Sequence, residues 1–214
     1  MTKNYVVIAI AGVWVTLAQA ADRVWTGGSG VWTNTAAWSG GVLPGPGDTV
    51  TFLGSGGGAV TVPSGYPFSL SALYFNTNSV YGTWTLTGET NTLASPAEVR
   101  VDGTTYTGIT TVSNALAGTA GLTKTGTGIL ELATVTNLFS GKVTIAGGAI
   151  RARSDLSLGA VPVSPVADAI VLDGGALVNL VDPLAVSANR GITVGSSNGW
   201  FLSRNLMPTF INSA

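Results

Sequence analysis

Residues 121–152 read GLTKTGTGILELATVTNLFSGKVTIAGGAIRA, and the expected fold follows from this stretch. Within it, Leu130 and Leu132 share a strand face that Glu131 avoids, and residues 143–145 alternate in the same way. A period of two is typical of a strand with one buried face and one polar face. Glycines stand at the ends of these segments, where they allow the positive φ angles of tight corners. The stretch therefore predicts short strands joined by glycine corners.

The same pattern continues outward from this stretch in both directions. No window of ten or more residues shows a helical period with capping residues, so we expect an all-β chain. A β-sandwich and a parallel β-helix both fit short strands at this spacing. A glycine corner after each strand favours the parallel β-helix, because such coils can stack on one another. The candidate strands lie at 50–52, 59–62, 70–75, 83–87, 97–101, 109–112, 129–132, 142–145, 149–152, 169–172, 176–180 and 191–194.

The segment Gly121 to Ala152 resembles the autotransporter-associated β-strand repeat of bacterial passenger domains. That family's pattern is roughly G-L-x-K-x-G-x-G-x-L-x-L, then N-x-aromatic-x-G, then T-x-I or T-I, then G-T-L. The segment departs from it at 149–150, which read Ala-Ile where Thr-Leu is usual, and at the four residues before Asn137. The resemblance implies a right-handed parallel β-helix passenger or stalk. It also implies a bacterial protein that is exported and held at, or released from, the cell surface or outer membrane.

Segments on both sides of the repeat are similar to the same group of proteins. Upstream, Trp25, Trp32 and Trp38 with Pro44, Asp48 and Phe52 resemble an opening W-x-G…W…W…P…D…F; downstream, 156–159, 173–177 and 189–192 resemble linking coils.

We expect a signal peptide at 1–20, a Trp-rich N-terminal cap at 21–62 and β-helix coils at 63–214. A passenger would normally continue, so we expect the chain to be truncated at Ala214.

The N-terminus has the three parts of a secretory signal peptide. Lys3 supplies the positive charge, residues 5–17 form an apolar run, and Ala18 and Ala20 supply the small residues of a signal peptidase site. The apolar run is too short for a membrane span, which needs roughly 20 residues. We therefore expect cleavage before Ala21 and no transmembrane helix in the mature chain.

Composition excludes most enzyme classes. The 214 residues include no Cys and no His, which removes Cys and His nucleophiles, general bases and metal ligands. Only 9% of residues are charged and the net charge is −1, which argues against a nucleic-acid partner. We expect no catalytic residue, no metal and no cofactor.

Three tryptophans and one charged strand are the candidate binding residues. Trp25, Trp32 and Trp38 could stack on sugars, or pack together as a lid over the first coil, which must be covered. Arg151 and Arg153 on one strand, with Asp155 beyond, could form a sugar-acid site. A solvated strand face explains the same charges, and we favour it.

Three other motifs have structural interpretations. We expect Lys124 to lay its stem along the coil with its ammonium in solvent. We expect Asn137 to stack in a ladder or cap a corner. Residues 195–199 match G-x-S-x-G, but a nucleophile elbow needs a histidine partner, so this segment predicts a turn.

The sequence thus predicts a non-enzymatic surface or secreted passenger or stalk, with an adhesin-like role. A carbohydrate-binding module and a fragment of a β-helix polysaccharide-degrading enzyme are the alternatives. The expected partners are a surface glycan or another cell-surface protein. The chain could also associate through an exposed end coil, because an unpaired strand edge can pair with another chain.

Overall fold

The structure is a computed structural model that describes residues 20–53, 56–66, 68–76, 82–103, 108–134, 136–180, 184–202 and 208–211, with only the backbone described at 95–96 and 208–211. Ala18 and the rest of residues 1–19 lie outside the described residues. The described fold is all-β, with parallel strands stacked as a solenoid of about seven turns. This confirms the parallel β-helix class over the sandwich. Within the described residues, no helix is long and apolar enough to cross a membrane.

Eighteen strands form the described part of the solenoid. They are β1 (Asp22–Trp25), β2 (Gly30–Val31), β3 (Asp48–Leu53), β4 (Gly57–Val62), β5 (Ser69–Asn76), β6 (Thr83–Gly88), β7 (Asn91–Asp102), β8 (Ile109–Val112), β9 (Leu116–Ala117), β10 (Leu122–Thr125), β11 (Ile129–Leu132), β12 (Val143–Ile145), β13 (Ala149–Ala152), β14 (Val166–Leu172), β15 (Ala176–Asn179), β16 (Arg190–Val194), β17 (Gly199–Leu202) and β18 (Pro208–Ile211). Short 3-10 turns occur at Thr35–Ala37, Ser39–Gly41 and Asp155–Leu158.

The strands form two sheets that the chain visits in alternation. Sheet A has the order β1-β3-β5-β7-β10-β12-β14-β16, with β9 beside β7. Sheet B has the order β2-β4-β6-β8-β11-β13-β15-β17-β18. Among the strands that the structure describes, every pairing is parallel except that of β17 with β18, which is antiparallel. Each turn as far as β17 therefore adds one strand to each sheet, except that β9 and β10 both pair with β7. The ladders of both sheets continue across residues 62 and 63.

The twelve predicted strands are all present, with ends shifted by a few residues. They correspond to β3 to β8 and β11 to β16, so β1, β2, β9, β10, β17 and β18 are not among them. Of these, β2 and β9 have only two residues each, which gives too little pattern to detect. In β10 a lysine occupies an inward position and hides the alternation. The right-handed sense of the coils stays a prediction.

Side chains at equivalent positions stack in columns inside the solenoid. In sheet A the register aligns one inward column from coil to coil, and in sheet B it aligns another. Their members are buried, and most are apolar. The sheet A column is Val50, Leu73, Val99, Lys124, Ile145 and Leu172, and the sheet B column is Trp84, Thr110, Leu130, Ile150 and Leu177. Hydrophobic burial thus runs the length of the stack.

Glycine is required where corners of neighbouring coils approach each other. Gly148 has φ of +59°, and a Cβ built there would lie 2.2 Å from the carbonyl oxygen of Gly128. Gly65 also has a positive φ, +77°, but a Cβ there would meet nothing within 4 Å. Gly148 is therefore required both by its backbone conformation and by the spacing between coils, whereas Gly65 is required by its backbone conformation alone.

We expect Gly148→Ala to destabilise the fold more than Gly65→Ala. The left-handed conformation costs about 1–2 kcal/mol for a residue with a Cβ in either variant. At Gly148 the clash with the neighbouring coil adds about 1–3 kcal/mol. Urea unfolding followed by far-UV circular dichroism measures both. Equal midpoints for the two variants would contradict this account of the corner.

Candidate functional site

The three N-terminal tryptophans pack together inside the first coils. The rings of Trp25 and Trp38 meet edge to face with centroids 5.1 Å apart, and those of Trp32 and Trp38 meet at 4.8 Å. Trp32 also stacks on Phe68 at 4.1 Å. The Trp38 indole Nε1 donates a hydrogen bond to the Trp32 carbonyl at 2.7 Å, and Trp25 Nε1 donates to Gly28 at 2.9 Å. Edge-to-face and offset stacking are the arrangements that aromatic rings prefer.

Burial of this cluster changes the expectation of a sugar-stacking surface. Trp25 and Trp32 have no exposed area, and Trp38 is 2% exposed. Stacking on a sugar needs a ring face that solvent can reach, and none of these three rings presents one here. The tryptophans pack together, as the lid interpretation expected, but as core side chains that join the apolar columns at the N-terminal end.

The structure does not bring Arg151, Arg153 and Asp155 to one site. Arg153 lies 2.9 Å from a carboxylate oxygen of Glu131, and Arg151 lies 4.0 Å from the other oxygen. Asp155 instead accepts a hydrogen bond of 2.9 Å from Arg190, whose side chain is 2% exposed. The two guanidinium groups therefore share one carboxylate on the outer face of sheet B. Asp155 instead forms an ion pair with the buried side chain of Arg190.

Lys124 occupies the interior of the repeat, so the prediction of a solvent-exposed ammonium is wrong. Its side chain is fully buried, and its Nζ donates hydrogen bonds to the carbonyls of Thr125 at 2.5 Å, Gly126 at 3.0 Å and Gly147 at 3.2 Å. The position follows from alternation, because Lys124 has the same parity as the inward Leu122. The ammonium thus ties together the glycine corners of two neighbouring coils.

The surroundings of Lys124 disfavour its charge. Burial lowers the pKa of the Lys124 ammonium from 10.5 to about 8, and the negative charge of Asp102 opposes the shift. The three carbonyl oxygens also favour the charged form, because they accept hydrogen bonds from it. Lys124 therefore fills an apolar column at an electrostatic penalty that its carbonyl partners reduce.

Asn137 caps a corner, as one of its two interpretations expected. It is buried, its Oδ1 accepts a hydrogen bond of 2.8 Å from the Leu116 amide, and its Nδ2 donates one of 2.7 Å to the Ser157 carbonyl. One side chain thereby connects the coil before it and the coil after it. Such a bridge satisfies backbone groups that the sheets do not pair.

Residues 195–198 form the predicted turn between β16 and β17, and Gly199 is the first residue of β17. The Ser197 amide donates a hydrogen bond of 2.8 Å to Asp173, which lies one coil earlier. Asn198 has φ of +63°, in the left-handed region that asparagine tolerates. The segment closes a coil and lacks the histidine that a nucleophile elbow requires.

Asp48 organises the first two coils, and apart from its place in the W…P…D pattern no feature of the sequence predicts its contacts. It is 4% exposed, and it accepts hydrogen bonds from the Ala21 amide at 2.8 Å, the Arg23 Nε at 2.9 Å and the Gly45 amide at 2.8 Å. Burial alone would raise the pKa of Asp48, but the bonds from Gly45, Arg23 and Ala21 outweigh it and hold the pKa below its ordinary value.

An uncharged cleft of about 370 Å³ lies beside these coils. Its lining residues are Pro44, Gly45, Pro46, Tyr66, Phe68, Ser69 and Thr92. The Asp48 contact with Gly45 and a hydrogen bond of 2.8 Å from the Gly47 amide to the Ser69 carbonyl hold its wall in place. Hydroxyl groups can both donate and accept hydrogen bonds. The cleft therefore combines aromatic, proline and hydroxyl-bearing residues without a charged side chain.

We expect the stability of the protein to rise between pH 8 and pH 10.5 because of Lys124. Its pKa is lower in the folded chain than in the unfolded chain, so the unfolded chain binds more protons in this window and loses them as pH rises. One pKa unit corresponds to about 1.4 kcal/mol, so the gain is at most about 3 kcal/mol.

Urea unfolding across this pH range measures the effect, with Lys124→Met as the matched variant that keeps the stem and removes the amine. The tyrosines and other groups titrate alike in both proteins. The difference between the two unfolding free energies should therefore change with pH. Parallel pH profiles for the two proteins would refute the role assigned to the Lys124 charge.

Comparison with known proteins identifies the central segment. A family model described as the passenger-associated-transport-repeat matches residues 122–152, which span β10 to β13. No curated protein and no solved structure gave a significant match to the chain. The chain therefore carries one passenger-associated transport repeat within a β-solenoid, consistent with an autotransporter passenger repeat.

Proposed function

We propose that this chain is a non-enzymatic exported passenger whose solenoid acts as a surface stalk with an adhesin-like role. The observation that carries the proposal is the position of the passenger-associated repeat. Its strands β10 to β13 continue the ladders of both sheets without a break on either side. The repeat is thus one part of a regular stack, as expected of a rod built from coils that contact only their neighbours.

The arrangement of charged groups supports a structural role over a polysaccharide-degrading one. Arg151 and Arg153 are paired with Glu131, and Asp155 is paired with Arg190. A catalytic acid or base must reach the proton that it transfers, and these groups are engaged with one another. Release of uronate products from a panel of acidic polysaccharides, lost on Arg151→Ala, would contradict the non-enzymatic proposal.

Surface display and an elongated shape test the stalk. Val163 is fully exposed in the loop before β14, so an epitope inserted after it should leave the sheets intact. We expect antibodies to label this epitope on intact bacterial cells, and to fail when residues 2–20 are deleted. Small-angle X-ray scattering of the purified chain should give an elongated profile. A compact profile, or an epitope that antibodies reach only after lysis, would contradict the stalk.

The partner in this proposal is a neutral surface glycan bound at the uncharged cleft. Tyr66 offers an aromatic ring, and Thr92 lies across the register from Ser69 with a hydroxyl of its own. Aromatic rings pack on the apolar faces of ligands, while hydroxyls exchange hydrogen bonds with polar groups. Ligand pockets of this kind usually measure about 300–1,000 Å³, so the cleft suits a small ligand.

We expect Tyr66→Ala to weaken binding of neutral oligosaccharides by about tenfold, which corresponds to about 1.4 kcal/mol. Tyr74→Ala is the matched control, because Tyr74 lies on the outer face of sheet A and donates a hydrogen bond of 3.0 Å to Glu98. Isothermal titration with a panel of neutral hexose and N-acetylhexosamine oligosaccharides measures both. Binding that survives Tyr66→Ala, or is lost equally in Tyr74→Ala, would exclude the cleft.

A further inference from the structure

The Ala21 nitrogen lies at the edge of the solenoid, against a buried carboxylate. Its N–H donates a hydrogen bond of 2.8 Å to Asp48 Oδ1, while the other carboxylate oxygen, Oδ2, accepts from Arg23 and Gly45. The Ala21 carbonyl is held independently, because it accepts a hydrogen bond of 3.0 Å from the Thr49 amide. The position of the nitrogen is therefore fixed by the ladder between β1 and β3.

This same nitrogen belongs to the peptide bond that the signal-peptide pattern marks for cleavage, after Ala18 and Ala20. We infer that cleavage before Ala21 creates an α-ammonium group that pairs with the buried Asp48 carboxylate and so locks the first coil of the mature protein. The inference rests on the proposed export of the chain, since it requires a signal peptidase to remove residues 1–20.

The covalent step is hydrolysis and needs only water as co-reactant. Water adds across the peptide bond between Ala20 and Ala21. The carbonyl carbon of Ala20 takes the oxygen and becomes a carboxylate, which leaves with the signal peptide. The Ala21 nitrogen takes the protons and changes from an amide with one N–H to an ammonium with three. No backbone movement is needed, because the nitrogen already lies at hydrogen-bond distance from Asp48.

The change in charge matters because Asp48 is almost completely buried. Before cleavage, Arg23 is the one cationic side chain bonded to Asp48 among the described residues, and its own side chain is 27% exposed. Asp22 lies on the face of β1 opposite to Arg23, because side chains alternate along a strand. Cleavage adds a second positive charge against the carboxylate. The bond from the Ala21 amide is already charge-assisted, because its acceptor is a carboxylate. Cleavage adds the attraction between two opposite charges at hydrogen-bond distance, and this attraction is stronger where water is partly excluded.

The proposed ion pair lies on β1, which is an edge strand of sheet A. Within the described residues, β1 pairs only with β3 in sheet A, whereas interior strands pair on both sides. An edge strand has fewer contacts and opens more readily than an interior strand. A new ion pair at β1 therefore stabilises an edge strand that the ladder holds on one side only, and it does so only after the signal peptide has been removed.

The test uses the mature chain with a free Ala21, prepared from a fusion whose tag is removed without leaving extra residues. An ordinary α-amino group has a pKa of about 7.7–8.0, and an adjacent opposite charge raises it by about one unit or more. We expect NMR titration of the Ala21 amine to give such a raised pKa. Asp48→Asn should return it to the ordinary range, and Asp168→Asn, a matched change in an exposed ion pair with Lys142, should not.

Acetylation of Ala21 supplies a second measurement that does not depend on an Asp48 variant folding. The acetylated chain keeps the N–H but loses the charge, so its urea midpoint should fall below that of the free chain at pH 6.5. A group whose folded pKa is raised stabilises the fold below its unfolded pKa and loses that effect as pH rises through the folded pKa. The difference between the two chains should therefore disappear at high pH.

Three results would overturn the inference. One is an Ala21 amine that titrates at the ordinary value, and another is equal stability of the free and acetylated chains at pH 6.5. The third is an N-terminus other than Ala21 on the exported protein. The first two are measured on the purified chain and stand apart from export, so a failure of the ion pair is distinguishable from a failure of the proposed surface function.

Discussion

The parallel backbone ladder between coils is the constraint on which the rest of this structure depends. Every buried peptide group must find a hydrogen-bond partner, and here the partners of strand residues lie one coil before and one coil after. In-register pairing places each side chain against the side chains at the same position in its neighbours. The inward side chains therefore form columns inside the solenoid, and each of them contacts the side chains at the equivalent positions of the coils before and after it.

Lys124 and Gly148 illustrate how strongly that constraint acts. Lys124 stands in a column of valine, leucine and isoleucine, and its ammonium is tolerated because three carbonyls at the coil corners accept hydrogen bonds from it. Gly148 is needed because the next coil leaves no space for a Cβ. The glycines and the lysine of the repeat pattern are therefore explained by the distance between coils, with no reference to a ligand.

The ends of the stack need other interactions, because the ladder is one-sided there. At the N-terminal end, the aromatic cluster fills the interior, and Asp48 gathers three donors from two neighbouring coils. The uncharged cleft with Tyr66 lies beside the same loop. The aromatic cluster, the buried carboxylate and the cleft thus lie together at the N-terminal end of the stack, and both the proposed glycan contact and the proposed ion pair of Ala21 belong to this end.

The sequence by itself determined the all-β class, the twelve main strands, the glycine corners and the central repeat, because period-two alternation and corner residues are local signals. It also identified Trp25, Trp32 and Trp38, Arg151 and Arg153, but not what they contact. Only the tertiary structure decided that the tryptophans are buried, that Glu131 holds both arginines, that Lys124 points inward and that Asp48 meets Ala21. Each outcome depends on at least one contact between distant positions, such as Trp32 with Phe68, Arg153 with Glu131, Lys124 with Gly147 and Asp48 with Ala21. The register between coils sets these partners, and no local pattern contains it.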